Sequence, residues 1–365
     1  MTGRERMEYT LRGEKTDRVP LTTIPDEAAR SIMPDEYRTC DYIEFYKKIG
    51  YDILMFGKYG MPDESRPVDP FTVTYPFGSS ACEENGVWSH TRKLGRSVLV
   101  GKHSKGHPVK YPVETPEDAA VLLDFYDGAK IQKNENYMES LHAAERAVGE
   151  HGIFALTLEP SPVQLLIEIE CGMENFYYLL QDAPDLMKRL IDAMYGIRRQ
   201  EYQITAEAPY SLVIPVENTS TTMISPSFYH KYSLEHIAAF SEIMHANNKK
   251  AVIHMCGHLK NLLHEFKAAR IDGIHALTEP TVGDCTYETA LDVLGEETII
   301  IGAPNVDKFQ SPSATPESVR ECVKTVLSDR IRQSNFILSP GIDGLPTPLW
   351  KMEVVRETVE EFGMK

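Results

Sequence analysis

The chain has 365 residues, and 42% of them are hydrophobic, which is enough to build a substantial core. Its net charge of −16 argues against nucleic acids and anionic membranes as partners, because there is no basic excess to neutralise phosphates. No apolar run reaches the ~18 residues of a membrane span, and the first residues are too polar for a signal peptide. Six cysteines spread along the chain show no disulfide framework. We therefore expect a cytoplasmic protein with free thiols.

Short β-branched segments alternate with longer amphipathic segments along the chain. The predicted strands are Val19–Ile24, Ile53–Phe56, Ile153–Leu158, Ser211–Val216, Ala251–His254, Gly273–Leu277, Thr298–Gly302 and Asn335–Ser339. The predicted helices are Ser161–Leu180, Asp185–Glu207, Pro226–Asn247, Leu259–Ala269, Thr286–Leu294, Pro316–Asp329 and Leu349–Phe362. Strands joined by crossover helices in this number predict an α/β protein with a (β/α)8 barrel, or TIM barrel, as a single domain over residues 1–365.

Two segments depart from this alternation. The first ~18 residues predict a helical extension packed outside the barrel. Residues 70–112 alternate in polarity and contain Gly and Asn turn signals, which predicts a β-hairpin insertion between the second and third strands. The run Glu83-Glu84-Asn85-Gly86 is the predicted turn, because Asn-Gly tolerates positive φ. We expect this insertion to lie outside the barrel and to help form a wall of the site.

The most informative motif is the apolar run Val252–Gly257, which presents a His and a Cys two residues apart. Strand side chains repeat every two residues, so His254 and Cys256 are predicted to point to the same side. Imidazole and thiolate together suit zinc. The alternative is a core His beside a buried free Cys that acts as a small hydrophobe. Barrel active sites lie at the C-terminal ends of the strands, and this pair follows the fifth predicted strand, which favours the metal site.

A catalytic zinc takes three protein ligands and keeps one position open, so a third ligand is needed. The candidates are Cys285, Glu279, His275 and Asp343, which lie in or after the sixth and eighth predicted strands. Each has a structural alternative. Asp284 is predicted to cap the next helix, which would place Cys285 in its first turn. Glu279 would otherwise be a solvated loop residue, and Asp343 an ordinary turn residue.

Polar side chains also follow the fourth predicted strand. Glu217 and Asn218 come directly after the apolar run Leu212–Val216. Because this strand neighbours the strand of His254 in the predicted barrel, both side chains are candidates for orienting a substrate. Asp343, after the last strand, is a third candidate for a catalytic role.

Several motifs together resemble one family. They are Glu14–Pro20 (EKTDRVP), Cys171–Phe176 (CGMENF), Asp182–Leu186 (DAPDL), Ser225–Tyr229 (SPSFY), His254–Gly257 (HMCG), Thr278–Asp284 (TEPTVGD) and Ser339–Gly341 (SPG). On these motifs the chain resembles the uroporphyrinogen decarboxylase superfamily over nearly its whole length, in particular its cobalamin-dependent methyltransferase branch.

The resemblance implies a zinc-dependent methyltransferase that moves a methyl group between a corrinoid protein and a small thiol or a methoxy or other methylated compound. In that branch zinc is bound by the His-x-Cys pair and by a Cys in the last-strand loop. His254 and Cys256 match, but the loop here has Ile342 and Asp343 and no Cys, which leaves the third ligand open. The corrinoid, as methylcobalamin, would arrive on a partner protein, because this chain lacks the Asp-x-His-x-x-Gly segment of corrinoid carriers.

Two other functions remain as alternatives. Decarboxylases of the superfamily grip a tetrapyrrole with Arg residues of an N-terminal loop, whereas Thr22–Arg30 carries one Arg and two acids, a poor clamp for many carboxylates. A uroporphyrinogen decarboxylase-like decarboxylase acting on another acid is the first alternative. A non-catalytic barrel that binds corrinoid or tetrapyrrole is the second.

Overall fold

The computed structural model describes residues 1–57 and 67–365. The chain forms two compact units. The first contains Met1–Val68, Glu135–Leu158 and Ala206–Lys365, and the second contains Asp69–Asn134 and Glu159–Thr205. The expectation of a single domain over residues 1–365 stays a prediction.

The secondary structure is as follows. The strands are β1 (Ile53–Phe56), β2 (Phe71–Thr74), β3 (Gly78–Glu84), β4 (Val87–Leu94), β5 (Ser97–Ser104), β6 (His107–Lys110), β7 (Lys130–Lys133), β8 (Gly152–Leu158), β9 (Leu212–Pro215), β10 (Val252–His254), β11 (Gly273–Leu277), β12 (Ile299–Gly302) and β13 (Asn335–Leu338). The α-helices are α1 (Gly3–Arg12), α2 (Glu27–Arg30), α3 (Asp35–Arg38), α4 (Tyr42–Ile49), α5 (Pro116–Asp127), α6 (Tyr137–Val148), α7 (Pro162–Leu165), α8 (Met173–Asp182), α9 (Pro184–Glu207), α10 (Pro226–Tyr232), α11 (Leu234–Ala246), α12 (Leu263–Ala268), α13 (Tyr287–Leu294), α14 (Val306–Gln310), α15 (Pro316–Val326), α16 (Asp329–Gln333) and α17 (Leu349–Phe362). Short 3-10 helices span Gly149–His151 and Lys260–Leu262, and a π-helix spans Leu166–Glu170.

The first unit contains the predicted parallel strands. They pair in the order β1-β8-β9 and β10-β11-β12-β13, and parallel bridges from Val213 to Ala251 and from Val216 to His254 connect the two sheets. Leu21 bridges Leu338 of β13 in parallel, and its carbonyl accepts a hydrogen bond of 2.7 Å from the Asp52 N–H beside β1. The segment around Leu21 thus contacts both β13 and the start of β1, but it forms an isolated bridge instead of the strand predicted over Val19–Ile24.

The core explains why these segments are strands. One cluster of buried side chains draws on alternate positions of the strands and on α1: Met7, Leu11, Leu54, Ile153, Ala155, Leu212, Ile214, Val252, Ile299, Ile301 and Ile337. β-Branched residues suit this pleated and fully buried setting. The predicted N-terminal helix is α1, which a Thr2/Glu5 capping box begins and Gly13, with a φ of 72°, ends.

The second unit holds the insertion. Its strands β3-β4-β5-β6 form an antiparallel sheet, and β2 pairs with β7. The predicted turn is present, since Asn85 and Gly86 join β3 to β4 with φ values of 53° and 78°. The insertion is therefore larger than one hairpin, and none of its described strands pairs with β1 or β8–β13. Its role as a wall of the site stays a prediction.

The helix predicted over Ser161–Leu180 is interrupted. The α7 helix passes into the π-helix, and the chain turns at Cys171 and Gly172 before α8 begins. Gly172 has a φ of 74°, which a residue with a Cβ rarely adopts. Within the described residues, no helix is both long and apolar enough to traverse a membrane.

Candidate active site

A pocket of about 260 Å³ lies in the first unit where β10–β13 end. Its walls are mostly apolar, with a few polar groups between them. The lining residues are Ile24, His254, Cys256, His275, Ala276, Thr278, Ile301, Gly302, Ala303, Val306, Ser339, Gly341, Asp343 and Leu345. An apolar cavity with few convergent polar groups at this end of a barrel is the expected form of a small-molecule site.

Backbone hydrogen bonds from the neighbouring segments fix the position of the His-x-Cys pair. The carbonyl of His254 accepts from the N–H groups of Glu217 and Asn218 at 3.0 and 3.1 Å, and Met255 donates to the carbonyl of His275 at 2.9 Å. The chain turns at Gly257, which has a φ of 88°. Cys256 is exposed, and its Sγ lies 3.9 Å from Oδ1 of Asn218. His254 and Cys256 therefore line the same pocket, as the strand alternation predicts.

His254 is paired with a second imidazole. Nδ1 of His254 lies 2.7 Å from Nδ1 of His275, and the ring of Phe56 stacks on His275 with centroids 4.5 Å apart. Burial lowers the pKa of His254 to about 4. Burial lowers the pKa of His275 well below its ordinary value, with a further contribution from His254. Both rings are neutral at pH 7, so one Nδ1 donates its proton to the hydrogen bond and the other Nδ1 accepts it. Neutral imidazole is also the form that binds metals.

Asp343 shares this pocket, as the sequence allowed. It belongs to the loop after β13, and partial desolvation, with a contribution from Asp26, raises the pKa of its carboxyl group. Burial disfavours the charged form of a carboxyl group. Because Asp343 lines the pocket, it can reach an ion or substrate held there.

Cys285 and Glu279 do not line the pocket. The thiol of Cys285 contacts the carbonyl of Thr286 at 3.3 Å, and burial raises its pKa to about 11. Oε1 of Glu279 accepts from the N–H of Tyr287 at 3.2 Å, and burial raises the pKa of this carboxyl group. Glu279 therefore supports the start of α13 instead of lying free in solvent.

The expected helix cap is wrong. Thr286 is the N-cap of α13, so Cys285 precedes the helix. Oδ1 of Asp284 instead accepts from the N–H groups of Leu259 and Lys260, at 2.7 and 3.0 Å. Asp284 therefore satisfies the start of the short helix after β10, where free N–H groups also attract a carboxylate. Residue spacing does not predict this longer-range contact.

Glu217 and Asn218 lie beside the pair. Glu217 is fully buried, and its Oε1 accepts from the Thr219 hydroxyl at 3.3 Å. Asn218 has a positive φ of 47°. Their role in orienting a substrate stays a prediction.

The donor types fit zinc, but the described geometry completes only part of a zinc site. Within residues 1–57 and 67–365, no three side chains of His, Cys, Asp or Glu are grouped closely enough to hold a metal ion. The pocket does bring together a neutral imidazole and an accessible thiol, with Asp343 as a further oxygen donor. This matches the ligand chemistry of zinc.

Arg30 is the one arginine of the N-terminal segment that decarboxylases would use. It is 5% exposed, and its guanidinium donates to the carbonyls of Tyr37 and Cys40 while lying over the rings of Tyr42 and Phe45. Arg30 thus holds the local fold and is not free to bind carboxylates. Phe56, whose ring stacks on His275, was not among the predicted site residues, although it lies at the end of β1.

Comparison with known proteins identifies the class. The sequence model of the uroporphyrinogen decarboxylase (URO-D) family matches residues 91–362, so the chain belongs to this family. The fold is that of a methyltransferase from Methanosarcina mazei, with a TM-score of 0.59, 15% identity and 99% of each chain covered. The predicted (β/α)8 barrel and the resemblance to the superfamily are thereby confirmed.

Two further comparisons add little. A D-psicose 3-epimerase solved in the presence of D-fructose has a TM-score of 0.37 and 10% identity over 67% of this chain and 82% of its own. No curated protein matches the chain.

Proposed function

We propose that this protein is a methyltransferase that moves a methyl group between a corrinoid protein and a small thiol or a methoxy or other methylated compound. The observation that carries the proposal is the neutral imidazole of His254 beside the exposed thiol of Cys256 in one small pocket. The barrel shared with the Methanosarcina mazei methyltransferase agrees with it.

The size of the pocket favours a small substrate. Its volume of about 260 Å³ is below the ~300–1,000 Å³ of most sites for drug-sized ligands. A tetrapyrrole with many carboxylates needs more room and more cations, and Arg30 is already engaged. These two observations disfavour a decarboxylase acting on such a tetrapyrrole.

His254 and Cys256 would hold zinc, and we assign the third ligand to Asp343 because it reaches the same pocket. When bound there, zinc would lower the pKa of a substrate thiol and favour the thiolate. His275 keeps the ring of His254 in one orientation through the Nδ1 contact. Ile301 and Val306 form apolar walls of the pocket, which would limit the contact of a bound substrate with water.

In the direction of a thiol acceptor, the sulfur lone pair forms the new bond to the methyl carbon. The corrinoid, as the methyl donor, would keep the electron pair of its cobalt–carbon bond, so that methylcobalt(III) would become cobalt(I). The thiol proton passes to solvent. The reverse direction starts from a methylated compound and returns the methyl group to cobalt(I).

Elemental analysis of protein purified with zinc under reducing conditions tests the metal. We expect about one zinc per chain in the wild type and a large loss in His254→Ala and Cys256→Ser. Cys82→Ser is the matched control, because Cys82 is an exposed free cysteine of the second unit. A wild type without tightly held zinc, or equal zinc in all three variants, contradicts the assignment.

A methyl-transfer screen tests the reaction. Anaerobic protein is mixed with methylcobalamin and a panel of small thiols, or with reduced cobalamin and methylated compounds, while the corrinoid absorbance is followed. We expect turnover in one direction. No absorbance change in either direction, together with carbon dioxide release from uroporphyrinogen, would favour the decarboxylase instead.

A further inference from the structure

The insertion carries a charge opposite to that of the whole chain. From Asn85 to Val113 the sequence contains six Lys and Arg residues and no Asp or Glu, whereas the net charge of the protein is −16. These residues form β4, β5 and β6 and their connecting turns. The positive charge is therefore concentrated on three strands of one antiparallel sheet, whose fourth strand, β3, ends in Glu83 and Glu84.

Strand register assigns the charges to one side of this sheet. Lys93 pairs with Val98, and Lys102 pairs with both Ser89 and Lys110, so these residues share a face. The opposite face includes Leu99, which is 1% exposed, and Arg92, whose guanidinium is paired with Glu170. Lys93, Val98 and Lys102 are exposed. We call Lys93, Arg96, Val98, Lys102 and Lys105 the basic face, since Arg96 and Lys105 lie in the two turns beside it.

The charges of the basic face are not balanced inside the protein. Lys102 stands directly opposite Lys110, an arrangement of like charges that destabilises a sheet. Lys110 has a carboxylate neighbour, Glu114 at 3.0 Å. Among the described residues, none of the four cations of the basic face has an ion pair. Positive charge kept at a cost in stability is explained by an anionic partner from outside the chain.

We infer that the basic face is the docking surface for an acidic protein. Resting on the proposed function, this protein is the corrinoid carrier, which the reaction requires and this chain does not contain. The net charge of −16 repels a long polyanion such as nucleic acid, whereas a local patch still attracts a compact acidic surface at short range. Val98, which is 43% exposed, supplies an apolar contact within the patch.

The test compares two methyl donors with the same enzyme. In Lys102→Glu/Lys105→Glu, kcat/KM for the cobalamin-loaded carrier protein of the same organism should fall at least ~10-fold at low salt, and the difference should shrink at high salt. The kcat/KM for free methylcobalamin should not change. The control Lys15→Glu/Arg199→Glu changes the net charge equally at exposed residues outside the sheet and should leave both values near those of the wild type.

The variant is expected to fold, because Glu at position 102 would face Lys110 and replace a like-charge pair by an opposite-charge pair. Equal kcat/KM for the carrier in variant and wild type would overturn the inference, and so would an equal loss with free methylcobalamin. If the wild type transfers no methyl group in either direction, neither from methylcobalamin to a thiol nor from a methylated compound to reduced cobalamin, the proposed function fails. In that case, calorimetry of carrier binding tests the docking surface independently of methyl transfer. Salt-sensitive binding that is lost in the variant supports the docking surface. No binding, or tighter binding of single-stranded RNA, overturns it.

Discussion

At the scale of residues, the contact between His254 and His275 organises the site. Two neutral imidazoles share one proton across 2.7 Å, and a metal ligand usually donates its second ring N–H to such a partner. If His254 donates from Nδ1, its Nε2 is the nitrogen left for the metal. His275 was predicted as a possible ligand, and its observed contact suits a positioning role instead, although the ligand assignment itself stays a prediction.

Replacing His275 tests this positioning. His275→Asn keeps an acceptor near the position of Nδ1, whereas His275→Leu removes it. We expect the Leu variant to bind zinc about 10–100-fold more weakly than the wild type, and the Asn variant to recover most of the loss. Competition with a chromophoric zinc chelator measures the affinity. Equal affinities in the Leu variant and the wild type would show that His275 does not act through His254.

The histidine pair also makes stability depend on pH. The folded pKa of His254 is about 4, below the ordinary value of 6.5, so the folded state binds fewer protons than the unfolded state between these values. The stability that the neutral form of His254 contributes is complete above pH 6.5. The free energy of unfolding should fall as the pH drops from 6.5 towards 4. Thermal unfolding of the metal-free protein across this range measures it. His254→Asn should flatten the dependence, whereas His264→Asn, at an exposed histidine, should not; an unchanged slope in His254→Asn contradicts the assignment.

At the scale of elements, the strands could be predicted because their β-branched residues are buried on both faces. Gly273–Leu277 matches β11 at both ends. The helices of residues 113–150 were not predicted, although Thr115-Pro116 with Asp118 forms a capping box at the start of α5. The break at Gly172 was also missed, because the sequence does not show that the ring of Tyr111, far away in the chain, packs against this glycine.

Gly172 gives a direct test of that break. A Cβ at this position would lie 2.4 Å from the ring of Tyr111, and the φ of 74° is unfavourable for any other residue. We expect Gly172→Ala to reduce the free energy of unfolding by about 1–3 kcal/mol. Gly196→Ala in α9, where nothing lies within 4 Å of the new Cβ, should be neutral or stabilising. Denaturant unfolding of both variants measures the difference. Similar effects in the two variants would mean that neither Tyr111 nor the positive φ restricts the residue at position 172.

At the scale of the whole molecule, the family motifs correctly predicted the fold, but a family motif does not by itself mark a catalytic residue. Arg18 of the opening Asp-Arg-x-Pro motif donates to the buried carboxylate of Asp52, and Arg6 donates to both Asp17 and Asp52. The contact with Arg6 lowers the pKa of Asp17. This motif therefore joins the N-terminal segment to the start of β1, a structural role that sequence alone could not separate from a catalytic one.

The candidate site was predictable where it rests on one strand and its neighbours. His254, Cys256, His275 and Asp343 line one pocket because parallel strands end at the same side of the barrel. The third ligand could not be predicted, since it depends on how each loop is held. Asp284 and Glu279 accept hydrogen bonds from backbone N–H groups of other segments, and residue spacing does not predict such contacts.

The most direct measurement of the central claim is methyl transfer by Cys256→Ser, followed by the change in corrinoid absorbance. We expect Cys256→Ser to abolish transfer, Glu217→Gln to lose roughly 10²-fold as for one positioned polar group, and Cys82→Ser to retain the rate of the wild type. Full methyl transfer by Cys256→Ser would contradict the account and place the reaction at another site.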